Sequence, residues 1–271
     1  MQTVALPLGY AACPMREKAF ISSIPELDNR EASRANDMAM SPRPLKSLIS
    51  AERQKNGDPA ATHAVIFDLD GVLVWSIPMH WQAFEKTFAA EGAGFSLDDY
   101  MRLGLGASRE EVIQRVLGDL PPEKLQQLMV EKEQHVQRYL REPGIDLIPG
   151  ALDFVQAVRA QGLKTAVASA SRSARLVLDS TGASPLFDAI IGRGEVARSK
   201  PYPDVLLTAA EALGVSPEHC LAIEDSAVGV KAARAAGMQV IAITTTDVEK
   251  NLSQAHAVYK GFAEIRKQIL S

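Results

Sequence analysis

Short apolar runs alternating with helical stripes constrain this chain more than any other feature of its sequence. His63-Ala-Val-Ile-Phe67 is an apolar run that ends at Asp68 and Gly71, as a buried strand would. Similar runs recur at Lys164–Ala168, Ala189–Ile191, Cys220–Ile223 and Gln239–Ile243. Helical patterns lie between them. Ala151, Leu152, Val155 and Val158 form one stripe. Val205, Leu206, Ala209, Ala210 and Leu213 form another, closed by Gly214. Val228, Val230, Ala233 and Ala236 form a third, closed by Gly237. Strands that alternate with helices predict βαβ units, a parallel sheet and right-handed crossovers. The interval from Trp75 to Pro149 breaks the rhythm and is too long for one crossover. It reads as helices only. Trp81, Phe84 and Phe88 share one face; Val112, Ile113, Val116 and Leu117 make a second. Leu125, Leu128, Val136 and Tyr139 make a third, after Pro121-Pro122. The pattern predicts a helical cap inserted after the first strand.

Composition narrows the remaining classes. Hydrophobic residues at 46% and charged residues at 23% describe an ordinary globular chain. A net charge of −4 gives no general basic footprint for nucleic acid. No apolar run reaches the ~18–20 residues a membrane span needs. Cys13 and Cys220 lie far apart and form no disulfide framework, so a reducing, cytoplasmic compartment is expected. Residues 1–60 carry Pro7, Pro14, Pro25, Pro42, Pro44 and Pro59 with scattered Ser and Asn, and read as a disordered or loose extension. The apolar stretch Val4–Cys13 lacks a preceding basic residue, which argues against a secretory signal. Glu17, Glu26, Asp28 and Glu31 argue against a transit peptide.

In an open parallel sheet, ligands bind beyond the carboxyl ends of the strands. Asp68 and Asp70 follow the first run, Ser169 the second, and Glu224 and Asp225 the fourth, while Lys200 lies in the loop Arg198–Pro203. Carboxylates converging without His or Cys favour a hard cation, and Mg²⁺ is the usual partner of phosphate. An ionised aspartate can attack phosphorus and split one hard step into two. Asp68 is placed as that nucleophile, with Asp70 to protonate the leaving oxygen and then activate water. Ser169 and Lys200 would hold the phosphoryl oxygens. Taken singly, each group has a plainer reading: a turn, a helix-start pair, a cap, a solvated loop lysine. Their joint occurrence in this order at strand ends selects the chemical reading.

These residues resemble the haloacid dehalogenase-like phosphohydrolases, in the helical-cap branch that includes beta-phosphoglucomutase and sugar-phosphate phosphatases. The resemblance runs from about Ala64 to Thr246. Phe67-Asp-Leu-Asp-Gly-Val-Leu73, Ala168-Ser-Ala-Ser171, Ser199-Lys-Pro201 and Ile223-Glu-Asp-Ser226 carry it. It implies an α/β fold: a Rossmann-like parallel-sheet core over 61–75 and 147–271, with a helical cap over 76–146. It also implies a Mg²⁺ site of Asp68, the Asp70 carbonyl, Glu224 and Asp225, with Ala170 beside Ser169 in contact with substrate. One position departs: the family usually has Asp where this chain has Trp75. Ser76 is still expected to cap the next helix, with Pro78 in its first turn.

Three residues of the cap are further substrate-binding candidates. Arg109 matches a substrate-loop pattern of the mutases or is a solvated helix-start arginine. Lys132 falls on an apolar stripe and either reaches into a cleft or snorkels. His80 matches a position often His in the family, or packs between cap and core. The expected function is a Mg²⁺-dependent phosphatase of a small phosphorylated metabolite of carbohydrate metabolism, acting as a monomer or dimer through an aspartyl phosphate. Its rivals are a beta-phosphoglucomutase-like hexose-phosphate mutase and a non-catalytic binding protein on the same fold.

Overall fold

The computed structural model describes residues 61–105, 107–142 and 144–269. The expected loose extension over 1–60 lies outside the described residues. The central sheet has six parallel strands in the order β5-β4-β1-β6-β7-β8. They are β1 (Ala64–Phe67), β4 (Lys164–Ala168), β5 (Ala189–Ile191), β6 (Cys220–Glu224), β7 (Gln239–Ile243) and β8 (Ala257–Tyr259). Strand β8 was not expected from the sequence. It is a three-residue edge strand whose residues are only half-buried, so its apolar signal is short and weak.

The two faces of the sheet separate cleanly because successive side chains of a strand point in opposite directions. Val65 and Phe67 of β1 enter one core. There they meet Phe154, Val155 and Val158 of α4 (Ala151–Ala160), Val177 and Leu178 of α5 (Ala174–Thr181), and Phe262 and Ile265 of α8 (Phe262–Ile269). Ala64 and Ile66 enter the other core, against α6 (Asp204–Leu213) and α7 (Ala227–Ala235). That second core is rich in alanine.

The stripe predicted for α7 holds at Val230, Ala233 and Ala236, which are buried. Gly229 and Ala232 are buried with Val230 and Ala233, whereas Val228 is only half-buried. At the helix start the Ser226 hydroxyl accepts a hydrogen bond from the Gly229 amide.

The long interval is mostly helical: α1 (Ile77–Ala90), α2 (Arg109–Leu117) and α3 (Pro122–Arg141). It has its own core of Phe84, Phe88, Phe95, Tyr100, Ile113 and Leu128, in which Phe88 meets Phe95 edge-on at 5.0 Å. The expectation of helices only is corrected where the segment leaves and rejoins the sheet. Strand β2 (Val74–Trp75) pairs antiparallel with β3 (Asp146–Leu147), closing both chain crossings into one ribbon. A short helical turn at Leu97–Asp99 runs into a π-turn at Tyr100–Gly104. Gly104 is needed there, since a Cβ would lie 2.5 Å from the Tyr100 ring.

Candidate active site

Strand β1 delivers Asp68 to the carboxyl edge of the sheet, where its amide donates to Ile223 O of β6 at 2.9 Å. Phe67 stands opposite both Val167 and Ile223, so Ser169 and Glu224 reach the same edge from the flanking strands. The Lys200 side chain comes in from the loop before α6 and is only 4% exposed. Its Nζ lies 3.0 Å from Asp68 Oδ1 and 2.8 Å from Glu224 Oε1. Asp225 completes the group: one carboxylate oxygen each from Asp68, Glu224 and Asp225 all lie within 4.8 Å of one another.

The electrostatics of this cluster are those of too many buried anions. Burial pushes the Asp68 carboxyl up, and Lys200 offsets only part of the shift. Burial raises Glu224 to about 8, with Lys200 opposing and Asp68 adding to it. Asp225 is driven well above the carboxylate range by burial and by Asp68. Burial disfavours the Lys200 charge, yet Asp68 and Glu224 hold that ammonium above its ordinary value. One ammonium does not balance three carboxylates, and a divalent cation would.

The residues present fit such an ion. All donors are oxygens, as Mg²⁺ requires. Glu224 Oε2 is buried without a hydrogen-bond partner. The space around the carboxylates is kept by two glycines: a Cβ on Gly71 would lie 1.9 Å from Asp225 Oδ2, and one on Gly229 would lie 1.9 Å from Glu224 Oε2. Gly71 also has φ +76°, which favours glycine on its own account.

Asp70 stands apart from this cluster. It sits in the turn after β1, 30% exposed, with Oδ1 3.4 Å from His80 Nε2 of α1. Burial would raise its carboxyl, but His80, Ser76 and Lys132 together hold it below the ordinary value. Ser76 does not cap α1 as expected. It occupies the cap position with φ −89° and ψ −8° and makes no capping hydrogen bond.

The remaining candidates divide between the sheet edge and the helical segment. Ser169 is fully buried and accepts a 3.0 Å hydrogen bond from the Ser171 amide, while Ala170 between them is exposed. Lys132 Nζ lies 3.0 Å from His80 Nδ1 and 5.1 Å over the Phe84 ring. Burial lowers its pKa to about 8. Arg109 is not solvated: its Nη1 donates to Met129 O at 3.0 Å and pairs with Glu133 Oε2 at 3.2 Å.

Comparison with known proteins settles the family. Residues 62–237 match the family model described as haloacid dehalogenase-like hydrolase. The chain belongs to that family. CbbY of Rhodobacter capsulatus is 36% identical over 189 residues, which span 66% of this chain and 83% of CbbY. Beta-phosphoglucomutase of Bacillus subtilis is 34% identical over 187 residues, spanning 66% of this chain and 82% of that protein. The crystal structure of CbbY from Rhodobacter sphaeroides in complex with phosphate superposes with a TM-score of 0.68 at 30% identity, covering 75% of this chain and 96% of CbbY. As a haloacid dehalogenase-like hydrolase, the chain is an enzyme of the phosphatase or phosphomutase kind.

Some residues of this hydrolase site escape motif reading. Thr246, beyond the family match, donates its hydroxyl to Asp225 Oδ2. Thr245 donates to Gly71 O at 2.5 Å and so ties down the turn that follows β1. Both follow β7, and extending the strand-end rule to that strand would have found them. Glu133 and Ser173 had no such signal, because their juxtaposition comes from the packing of α3 on α5.

Proposed function

We propose that this chain is a Mg²⁺-dependent phosphatase of a small phosphorylated metabolite, a sugar phosphate above all, acting through an aspartyl phosphate on Asp68. The observation that carries this reading is the placing of Lys200 Nζ between Asp68 and Glu224 in an all-oxygen cluster. Asp68, Glu224, Asp225 and the Asp70 carbonyl would hold the cation, which when bound supplies positive charge against the phosphoryl oxygens. Asp68 attacks phosphorus and the ester oxygen leaves with a proton from Asp70. Asp70 then takes a proton from the water that cleaves the phosphoryl enzyme, regenerating Asp68 and releasing inorganic phosphate. Ser169 and Lys200 orient the phosphoryl group, with Ala170 alongside. We take residues 61–75 and 147–271 as the catalytic core and 76–146 as a cap that brings His80, Lys132 and Arg109 over the substrate. The reading is that of a monomeric cytoplasmic enzyme; among the described residues no helix is long and apolar enough to cross a membrane.

A second reading, a hexose-phosphate mutase, is favoured by one contact chain: Lys132 to His80 to Asp70. It links the helical segment to the acid/base, where a phosphoryl enzyme could wait for a second hydroxyl. A panel of phosphorylated metabolites assayed for both products tests the two. Free phosphate from a hexose 1-phosphate supports the phosphatase, and its 6-phosphate supports the mutase. Turnover of no member would return the chain to the binding-protein reading.

A further inference from the structure

No step of the proposed reaction uses the loop after β7, yet that loop touches the turn after β1, Asp225 and the start of α7. β7 runs parallel to β6, with Ala242 opposite Glu224. Its chain continues past the sheet edge through Thr244, Thr245, Thr246 and Asp247, beyond the residues 62–237 that match the family model. Each of these is tied to a different neighbour. The Thr244 amide donates to Tyr259 O of β8 at 2.9 Å. Thr245 Oγ1 donates to Gly71 O at 2.5 Å, and Thr246 Oγ1 donates to Asp225 Oδ2. Asp247 Oδ2 accepts from the Ala227 amide at the start of α7 at 3.3 Å. Its Oδ1 accepts from the Val248 amide and from Asn251 Nδ2, both at 2.8 Å, which fixes the far side of the loop.

Gly71, Asp225 and Thr246 meet at one point. A Cβ on Gly71 would lie 1.9 Å from Asp225 Oδ2 and 2.7 Å from Thr246 Cγ2. The carboxylate oxygen and the threonine methyl thus pack against the bare backbone of the turn that carries Asp70. Thr246 is 8% exposed and Asp225 2%, so solvent competes little for their hydrogen bond. The Asp225 carboxylate stands within 4.8 Å of those of Asp68 and Glu224, like charges that push it out of the cluster. A hydroxyl donated to one of its oxygens holds it against that push and removes its rotational freedom before any cation arrives.

We propose that Thr246 is a positioning residue for the divalent cation: its hydroxyl fixes the orientation of Asp225, and the affinity of the site for Mg²⁺ depends on that bond. This rests on the Mg²⁺ reading given above. Thr245 holds the Gly71 carbonyl and so keeps the turn in place around the neighbouring Asp70 carbonyl. Two adjacent hydroxyls of one loop therefore link a ligand that follows β6 with one that follows β1.

The test is calorimetric titration of Mg²⁺ into the full chain without substrate. Thr246→Val keeps the shape and the methyl and removes the donor, and should weaken Mg²⁺ binding by about 10–100-fold. Thr246→Ser keeps the donor and should recover most of that loss. Thr246→Ala makes the same measurement should the valine variant not fold. The Mg²⁺ concentration at which the melting temperature begins to rise should move by the same factor as the dissociation constant. Mg²⁺ bound as tightly without the hydroxyl as with it overturns the assignment. So does a serine variant as weak as the valine one, which would give the effect to packing. A native chain that binds no Mg²⁺ overturns the metal reading itself, and this assignment with it.

Discussion

At the scale of single residues, Asp68 and Asp70 differ because they differ in place. Asp68 is buried against Lys200 at the strand end, and Asp70 lies in the turn beside His80 and Ser76. In the proposed mechanism the inner carboxylate meets phosphorus and the outer one meets the leaving oxygen. Asp68→Asn should form no phosphoryl enzyme by intact mass after mixing with substrate. Asp70→Asn should lose ~10²–10⁴-fold in kcat, most for poor leaving groups. A phosphoryl adduct on Asp68→Asn would reverse the two roles.

Lys132 gives a pH prediction of its own. Burial depresses its folded-state pKa from 10.5 to about 8. Between those two values the unfolded chain keeps a proton that the folded chain releases, so stability rises with pH there. The cost of the buried charge is full below about 8 and vanishes toward 10.5. Lys132→Met should therefore stabilise the chain at pH 7 by on the order of 2–3 kcal/mol. That gain should disappear by pH 10.5 in denaturant titrations. A gain independent of pH would mean the ammonium is not the cause.

At the scale of elements, the start of α7 is built around a carboxylate rather than around helix propensity. Glycine inside a helix ordinarily costs ~1 kcal/mol against alanine. Gly229 reverses that rule, since a Cβ would meet Glu224 Oε2 at 1.9 Å and force the carboxylate away from Lys200. Gly229→Ala should lower the melting temperature instead of raising it, and should reduce activity by at least about tenfold through the displaced Glu224. A more stable variant with full activity would show that the carboxylate has room to move. The ribbon of β2 and β3 is the other decisive element. Trp75 sits in it, half-buried, and packs against both the sheet core and the core of the helical segment. An aspartate at that position would bring a charge to this contact, so tryptophan ties the two cores together by apolar surface instead.

At the scale of the whole molecule, the sheet edge gathers more negative charge than the protein neutralises by itself. Divalent cation should therefore stabilise the fold as well as activate it. Saturating Mg²⁺ at 100 times its dissociation constant adds about 2.7 kcal/mol. This should appear as a rise of several degrees in melting temperature over a chelated sample, and Asp225→Asn should shrink it. Chelation should also abolish phosphate release. Unchanged melting with full activity after exhaustive chelation would remove the metal from the reading.

The strand positions and their terminal carboxylates were legible in the sequence because a buried parallel strand must be a short apolar run, and the residue after it must sit at the sheet edge. Asp68, Ser169, Glu224 and Asp225 follow from that rule alone, and Lys132 was visible as a charge on an apolar stripe. Other features needed the folded chain. The edge strand β8 is too short and exposed to carry a pattern, and the β2–β3 ribbon depends on residues about seventy positions apart in sequence. The contact of Glu133 with Arg109 and Ser173 joins α2, α3 and α5, which no periodicity relates. Local chemistry repeats along a chain and can be read from it, whereas the meeting of side chains from separate elements is fixed only when those elements pack.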